Sequence, residues 1–197
     1  IVLAEKVTAE QTAFMVRHTT GILCVAIDKA TARRLELPMM YESNQDMRKT
    51  AFTVSVDAVV GLTTGVSATE RTTTIRTLAS GTATAKDFVR PGHIFPLVAH
   101  EEGLAGRGGH TEAGLALAQL VGGSPAALLS EIVNDDGSMA RGQALMDFAA
   151  KNAIPVISVQ ELKAVAPVVT ALETPFEFAW AELPLRTGIW KIATFPG

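Results

Sequence analysis

Apolar positions first fall at helical spacing after Thr8-Ala9-Glu10-Gln11, a capping-box pattern followed by Phe14, Met15 and His18 on one face. Gly21 closes that helix. Residues 22–27 then form an unbroken apolar run, the signature of a strand covered on both faces. Asp28 is placed to cap a short helix carrying Arg33 and Arg34, which stops before Leu37-Pro38. Beyond a polar stretch, 41–50, residues 52–56 alternate as a strand. Thr63-Thr64-Gly65 predicts a turn, and Ser67-x-x-Glu70 a second capping box opening a threonine-rich helix to Leu78. Pro91-Gly92 predicts a turn that delivers His93 to the start of a short strand. Residues 113–121 read as a helix that Thr111 can cap and Gly122 ends. A strand over 127–133 is interrupted by Glu131, and a turn at 134–137 precedes a helix over 138–152 burying Met139, Leu145 and Phe148. A strand over 154–159 and a helix opened by Ser158-x-x-Glu161 complete the pattern. Strands and helices in this order suit a sheet covered by helices, without choosing between a mixed and a doubly wound one.

Composition narrows the classes. The formal net charge of −3 gives no electrostatic footprint for nucleic acid or an anionic membrane. No apolar run approaches the length of a membrane span, and no signal-peptide pattern opens the chain. The one cysteine, Cys24, excludes an internal disulfide and a multi-cysteine zinc site, and fits a cytoplasmic protein. Inside an apolar strand it reads as a small buried hydrophobe. The chain opens on Ile1-Val2-Leu3 rather than Met and stops at Pro196-Gly197, which reads as a piece of something longer.

The polar residues that stand out are few. Arg107-Gly108-Gly109-His110-Thr111 runs into a helix start, where two glycines let backbone approach a ligand. Free N–H groups with Arg107 would suit a phosphate, and a neutral His110 a divalent metal; the same spacing also fits a plain glycine turn before a capped helix. Glu131 in an apolar strand is costly to bury unless it is paired, metal-bound or protonated. His93 is delivered at a strand start, where side chains often face a cleft.

The motifs RHTTGILCVAI (17–27), LPMM (37–40), TAFTVSVDA (50–58), TTGVSATER (63–71), RPGHIFPL (90–97), RGGHTEA (107–113) and EIVNDDGSMAR (131–141) occur in one order at close spacing. Together they resemble 3,4-dihydroxy-2-butanone 4-phosphate synthase, a family of riboflavin biosynthesis, over roughly residues 1–163. The resemblance implies a lyase that converts D-ribulose 5-phosphate into L-3,4-dihydroxy-2-butanone 4-phosphate and formate, using Mg²⁺ with Mn²⁺ as an alternative. It implies a three-layer α+β fold, a mixed twisted β-sheet with helices on both faces, in a cytoplasmic homodimer. His93 and Glu131 match the family's catalytic pair. His110 matches its metal-ligand histidine. Arg107, Gly108, Gly109, His110 and Thr111, with Glu131, match its substrate-binding positions.

In the family an acidic loop, upstream of the segment matching residues 1–4, supplies the metal's carboxylate. It is not in this chain, so either a longer protein provides it or the lyase activity is lost. The alternative reading is a non-catalytic sugar-phosphate-binding or dimerisation module. Glu70 stands where the family commonly has Asp, and Arg48-Lys49 where a His/Tyr-Gly pair is usual. The domain reading is a synthase-like unit over 1–165, a linker over 166–175, and over 176–197 the start of a second domain. Residues 181–190 are similar to the opening of a GTP cyclohydrolase II domain, whose zinc cysteines have no counterpart here.

Overall fold

The computed structural model of the chain describes residues 1–170, 180–185 and 188–193. In order its elements are β1 (Val2–Leu3), α1 (Ala9–His18), β2 (Cys24–Ile27), α2 (Lys29–Arg34), β3 (Val56–Ala58), α3 (Ala68–Ala79) and β4 (Phe88–Val98). They continue as α4 (Gly103–Gly106), α5 (His110–Leu120), β5 (Ala126–Leu129), α6 (Gln143–Lys151), α7 (Val159–Thr170), β6 (Trp180–Leu185) and β7 (Gly188–Ala193). The main sheet is mixed, in the order β1-β5-β2-β4-β3, and β6 and β7 form a separate two-stranded sheet. Within it β2 runs parallel to β4 and antiparallel to β5.

The sequence signals for helix starts work as their chemistry requires. Thr8 and Ser67 each close a reciprocal capping box, with Gln11 and Glu70 respectively. Asp28 accepts the Thr31 N–H at the head of α2, and Ser158 exchanges hydrogen bonds with Glu161 at the head of α7.

The sheet's two faces carry different side chains because they meet different helices. Leu23, Val25, Ile27, Val56, Ile94 and Leu128 form one core with Met15 of α1 and Ile75 and Leu78 of α3. The opposite face is built of smaller residues, Cys24, Ala26, Ala99 and Ala127, with Leu97, Leu129 and Leu115 of α5. Small residues let α5 lie close: a Cβ added at Gly114 would sit 3.1 Å from that of Ala127. α5 is covered in turn by α4 and α7 through Leu104, Ala113 and Leu162. The arrangement is therefore the three-layer α+β fold with helices on both faces. Among the described residues no helix is long and apolar enough to cross a membrane.

Several local expectations are corrected. The bend at Pro91-Gly92 is not a turn before a strand. It lies inside β4, with the Arg90–Pro91 peptide cis, because a register shift in the β3–β4 ladder takes up residues 90–93. Residues 52 and 53 make only isolated bridges, and the regular strand begins at Val56. β5 stops at Leu129, so Glu131 lies past its end and is exposed. There the ladder changes register: Cys24 is paired with Leu129, but Thr19 bridges Ile132. The helix expected from 138 begins at Gln143, since Asp136 holds Ser138 in a turn and Met139, 42% exposed, bridges Val133. Residues 154–157 form no strand. They are a short connection between α6 and α7, with Ile154 and Val156 exposed. α7 runs on to Thr170, through the first part of the expected linker, and residues 171–175 lie outside the described residues.

The close contact of α5 predicts opposite outcomes for two substitutions. In Gly114→Ala the gain in helix propensity, about 1 kcal/mol, offsets a slight crowding of Ala127. Gly114→Val overpacks the same gap and costs roughly 1–3 kcal/mol. Urea-unfolding midpoints of the two variants check this difference.

Candidate active site

The bulge in β4 places His93. Residues 90–93 fall in the gap of the β3–β4 register, and Gly92 donates its N–H to Ser55 Oγ instead (3.1 Å). Only glycine fits at 92, since a Cβ would lie 2.0 Å from the Val56 carbonyl carbon. His93 then turns onto Asp57 of β3. Its N–H donates to Asp57 Oδ1 at 2.9 Å, and its Nδ1 lies 2.7 Å from Asp57 Oδ2. The Asp57 side chain is 4% exposed and that of His93 41%, so the carboxylate is sealed while the ring opens to solvent.

The turn after residue 62 closes over this pair. Gly65, at φ 78°, comes so near that a Cβ would sit 2.1 Å from Asp57 Oδ2 and 2.7 Å from His93 Nδ1. Glu70, at the head of α3, holds the turn in shape. Its Oε1 accepts the N–H groups of Thr63 and Gly65 and the Thr63 hydroxyl, at 2.6–3.1 Å. Its Oε2 accepts the Ser67 hydroxyl at 2.7 Å and the Ser67 N–H at 3.3 Å. These bonds, the Ser67 hydroxyl foremost, hold the Glu70 carboxyl well below its usual range.

The RGGHT segment is anchored by a second buried carboxylate. Glu112, 1% exposed, accepts Arg107 Nη1 at 2.6 Å and the His100 N–H at 3.0 Å. Arg107 also donates to Thr50 Oγ1 and the Arg48 carbonyl, both at 3.2 Å. Thr111 does not cap α5. It is buried in the first turn, Gly109 occupies the N-cap position, and among the described residues no side chain caps the helix's N–H groups. That end of the helix is thus open to an anion. Gly108 and His110 are exposed beside it. A cavity of about 740 Å³ opens against Arg107 and Glu112, lined also by Arg33, Lys49 and His100, a size suited to a small phosphorylated ligand.

Among the described residues the Glu131 carboxylate has no hydrogen-bond or ion-pair partner, while its backbone carbonyl accepts the Thr20 N–H at 2.9 Å. The expectation of a partly buried Glu is corrected: it is exposed because β5 has already ended. It lies near Cys24. Burial pushes the Cys24 thiol up to about 12, and the Glu131 charge adds to the rise. Cys24 is therefore a neutral core thiol.

The structure does not hydrogen-bond His93, His110 and Glu131 to one another, and neither His93 nor Glu131 lines the Arg107 cavity. What relates His93 and Glu131 is β2: Cys24 is paired with Phe95 on one side and Leu129 on the other. The catalytic candidates lie two residues from those partners, toward the same end of the sheet, on strands about 10 Å apart. No group of three or more His, Cys, Asp or Glu among the described residues could hold a metal. His110 by itself does not fit Mg²⁺, which prefers six oxygen ligands. Asp57 and Glu112 were not singled out from the sequence, although an Asp inside the alternating TVSVDA strand carries the same burial signal that drew attention to Glu131.

The family described as 3,4-dihydroxy-2-butanone 4-phosphate synthase matches residues 1–165. The 3,4-dihydroxy-2-butanone 4-phosphate synthase of Proteus mirabilis is 47% identical over 164 residues, 83% of this chain and 76% of that protein. Riboflavin biosynthesis protein RibBA of Chlamydia trachomatis serovar D is 44% identical over 195 residues, 99% of this chain and 46% of that protein. The chain spans less than half the length of the RibBA relatives from Chlamydia. A crystal structure of 3,4-dihydroxy-2-butanone 4-phosphate synthase with two magnesium ions superposes with a TM-score of 0.79 at 41% identity, covering 85% of this chain and 82% of that one.

Two outcomes follow for the carboxylate anchors. Glu112→Ala removes Arg107's charge partner and the acceptor of the His100 N–H and costs about 1–3 kcal/mol, seen as a lower urea midpoint. Glu70 has a folded value below that of an unfolded glutamate, about 4.3. Its stabilisation is fully present at neutral pH and is lost as pH falls through the acid range. Glu70→Gln should therefore flatten part of the fall of Tm with acidification while changing little of its slope above pH ~6.

Proposed function

The chain belongs to the 3,4-dihydroxy-2-butanone 4-phosphate synthase family, and from that premise we propose that it converts D-ribulose 5-phosphate into L-3,4-dihydroxy-2-butanone 4-phosphate and formate. The observation that carries the reading is His93. A buried carboxylate holds the Nδ1 edge of its ring while the rest stays open, as a group that exchanges protons with a ligand requires.

Each residue then has a task. The uncapped N–H groups at the head of α5, with Arg107 and Thr111, receive the phosphate; Gly108 and Gly109 let it approach the backbone. Enolisation beside a ketone needs a base for a carbon acid, and the later loss of water and release of formate need protons returned. His93 and Glu131 are the groups assigned to these transfers. Mg²⁺, or Mn²⁺, is the metal of the proposal and His110 the one ligand assigned to it. Once its shell is completed by oxygen ligands, the metal would polarise the substrate's ketone oxygen.

The partner proposed is a second copy of the chain, in the cytoplasm. Val59, Val60, Val66 and Val89, exposed around β3 and its turns, support an apolar contact there. The unit boundary near residue 165 also stands as a proposal. It is supported by the end of the family match at that point, while the likeness to RibBA runs on through the β6–β7 hairpin. The hairpin is then the opening of a second, cyclohydrolase II-like domain.

The test is formate release from ribulose 5-phosphate, with Mg²⁺ and with EDTA, by the protein extended at its N-terminus to include the family's acidic loop, beside residues 1–197 alone. Activity is expected with the metal and not with the chelator. His93→Gln and Glu131→Gln should each lower it by about 10²–10⁴-fold. A folded protein whose Tm rises with ribulose 5-phosphate but which releases no formate would leave a binding module instead.

A further inference from the structure

We propose that Asp57 is the positioning residue of the site: it holds the His93 ring in one tautomer and one orientation, with Nδ1–H on the carboxylate and Nε2 presented to the ligand. This rests on the reading of His93 as a proton-transfer group and deepens it.

The geometry is specific to that task. A carboxylate as deeply buried as Asp57 needs partners for its oxygens, and an ionised one can only accept. Both oxygens are used by a single residue: Oδ1 takes the His93 N–H and Oδ2 faces its Nδ1. Among the described residues no Lys or Arg forms an ion pair with it. A neutral imidazole donates from one nitrogen and accepts with the other, so donation from Nδ1 leaves the Nε2 lone pair free.

Three separate pieces of chain converge to make this contact. The β4 bulge turns His93 onto β3, which requires a residue without a side chain at Gly92. The turn before α3 closes over the Asp57–His93 pair, which requires Gly65. Glu70 then fixes the turn through five hydrogen bonds. The result excludes water from the Nδ1 side of the ring and leaves its other edge open.

Asp57→Asn gives the decisive variant because it keeps the shape. Its Oδ1 still accepts the His93 N–H, but an amide nitrogen now faces Nδ1. That nitrogen donates, so the ring must turn to the Nε2–H tautomer. The experiment combines steady-state formate release with ¹⁵N spectra of the histidine imidazoles, His93 being assigned by loss of its signal in His93→Gln. Wild type should show His93 with the proton on Nδ1. Asp57→Asn should show it on Nε2, with kcat lowered about 10²-fold and KM changed less than about twofold. Wild-type kcat in Asp57→Asn would overturn the proposal. So would an Nε2–H tautomer in the active wild-type protein, a measurement that does not depend on any Asp57 variant folding. Full formate release by His93→Gln is a different result, and would remove the catalytic role of His93 itself.

Discussion

The site depends on the pairing of β2 along both of its edges. Cys24–Ile27 is buried throughout, sealed on one face by α1 and α3 and on the other by α5, so its backbone groups can be satisfied only by β4 and β5. That demand fixes both ladders. With Cys24 opposite Phe95 and Leu129, β4 brings His93, and the chain just past the end of β5 brings Glu131, to the same end of the sheet. A slip of one residue in either ladder would exchange the strand's large side chains, packed on α1 and α3, with the small ones that let α5 lie close, so core packing holds the juxtaposition in place.

On that frame, buried carboxylates rather than loops supply the precision. Asp57 fixes His93, and Glu112 ties Arg107 to the start of α5 and to the backbone of His100. Glu70 does a similar job in solvent, gathering the backbone of its own turn. The residues read as chemical, His93, His110 and Glu131, remain exposed or half-exposed around these anchors. Rigid acceptors inside and open groups outside make a site that is set before a ligand arrives, so less ordering cost falls on binding.

Much of this was legible in the residues. The capping boxes at Thr8 and Ser67 located two helices because the reciprocal bonding needs those types at that spacing. The apolar run before Asp28 marked the central strand. Local pattern failed where tertiary pairing decided the outcome. Pro91-Gly92 reads as a turn, yet the shifted β3 register draws it into a strand. Glu131 reads as a strand residue, yet the ladder shifts register beyond Leu129. Thr111 looks like a cap, but burial against the core takes it into the helix and leaves Gly109 at the N-cap. Asp57 and Glu112 were silent because a carboxylate's partner in another element has no fixed sequence spacing.

The measurement that bears most directly on the account is a crystal structure of the protein with ribulose 5-phosphate bound. The phosphate should lie on the N–H groups at the head of α5 beside Arg107 and Thr111, with the sugar carbons extending toward His93 and Glu131. A sugar phosphate bound in another groove, with His93 and Glu131 both beyond contact, would contradict it.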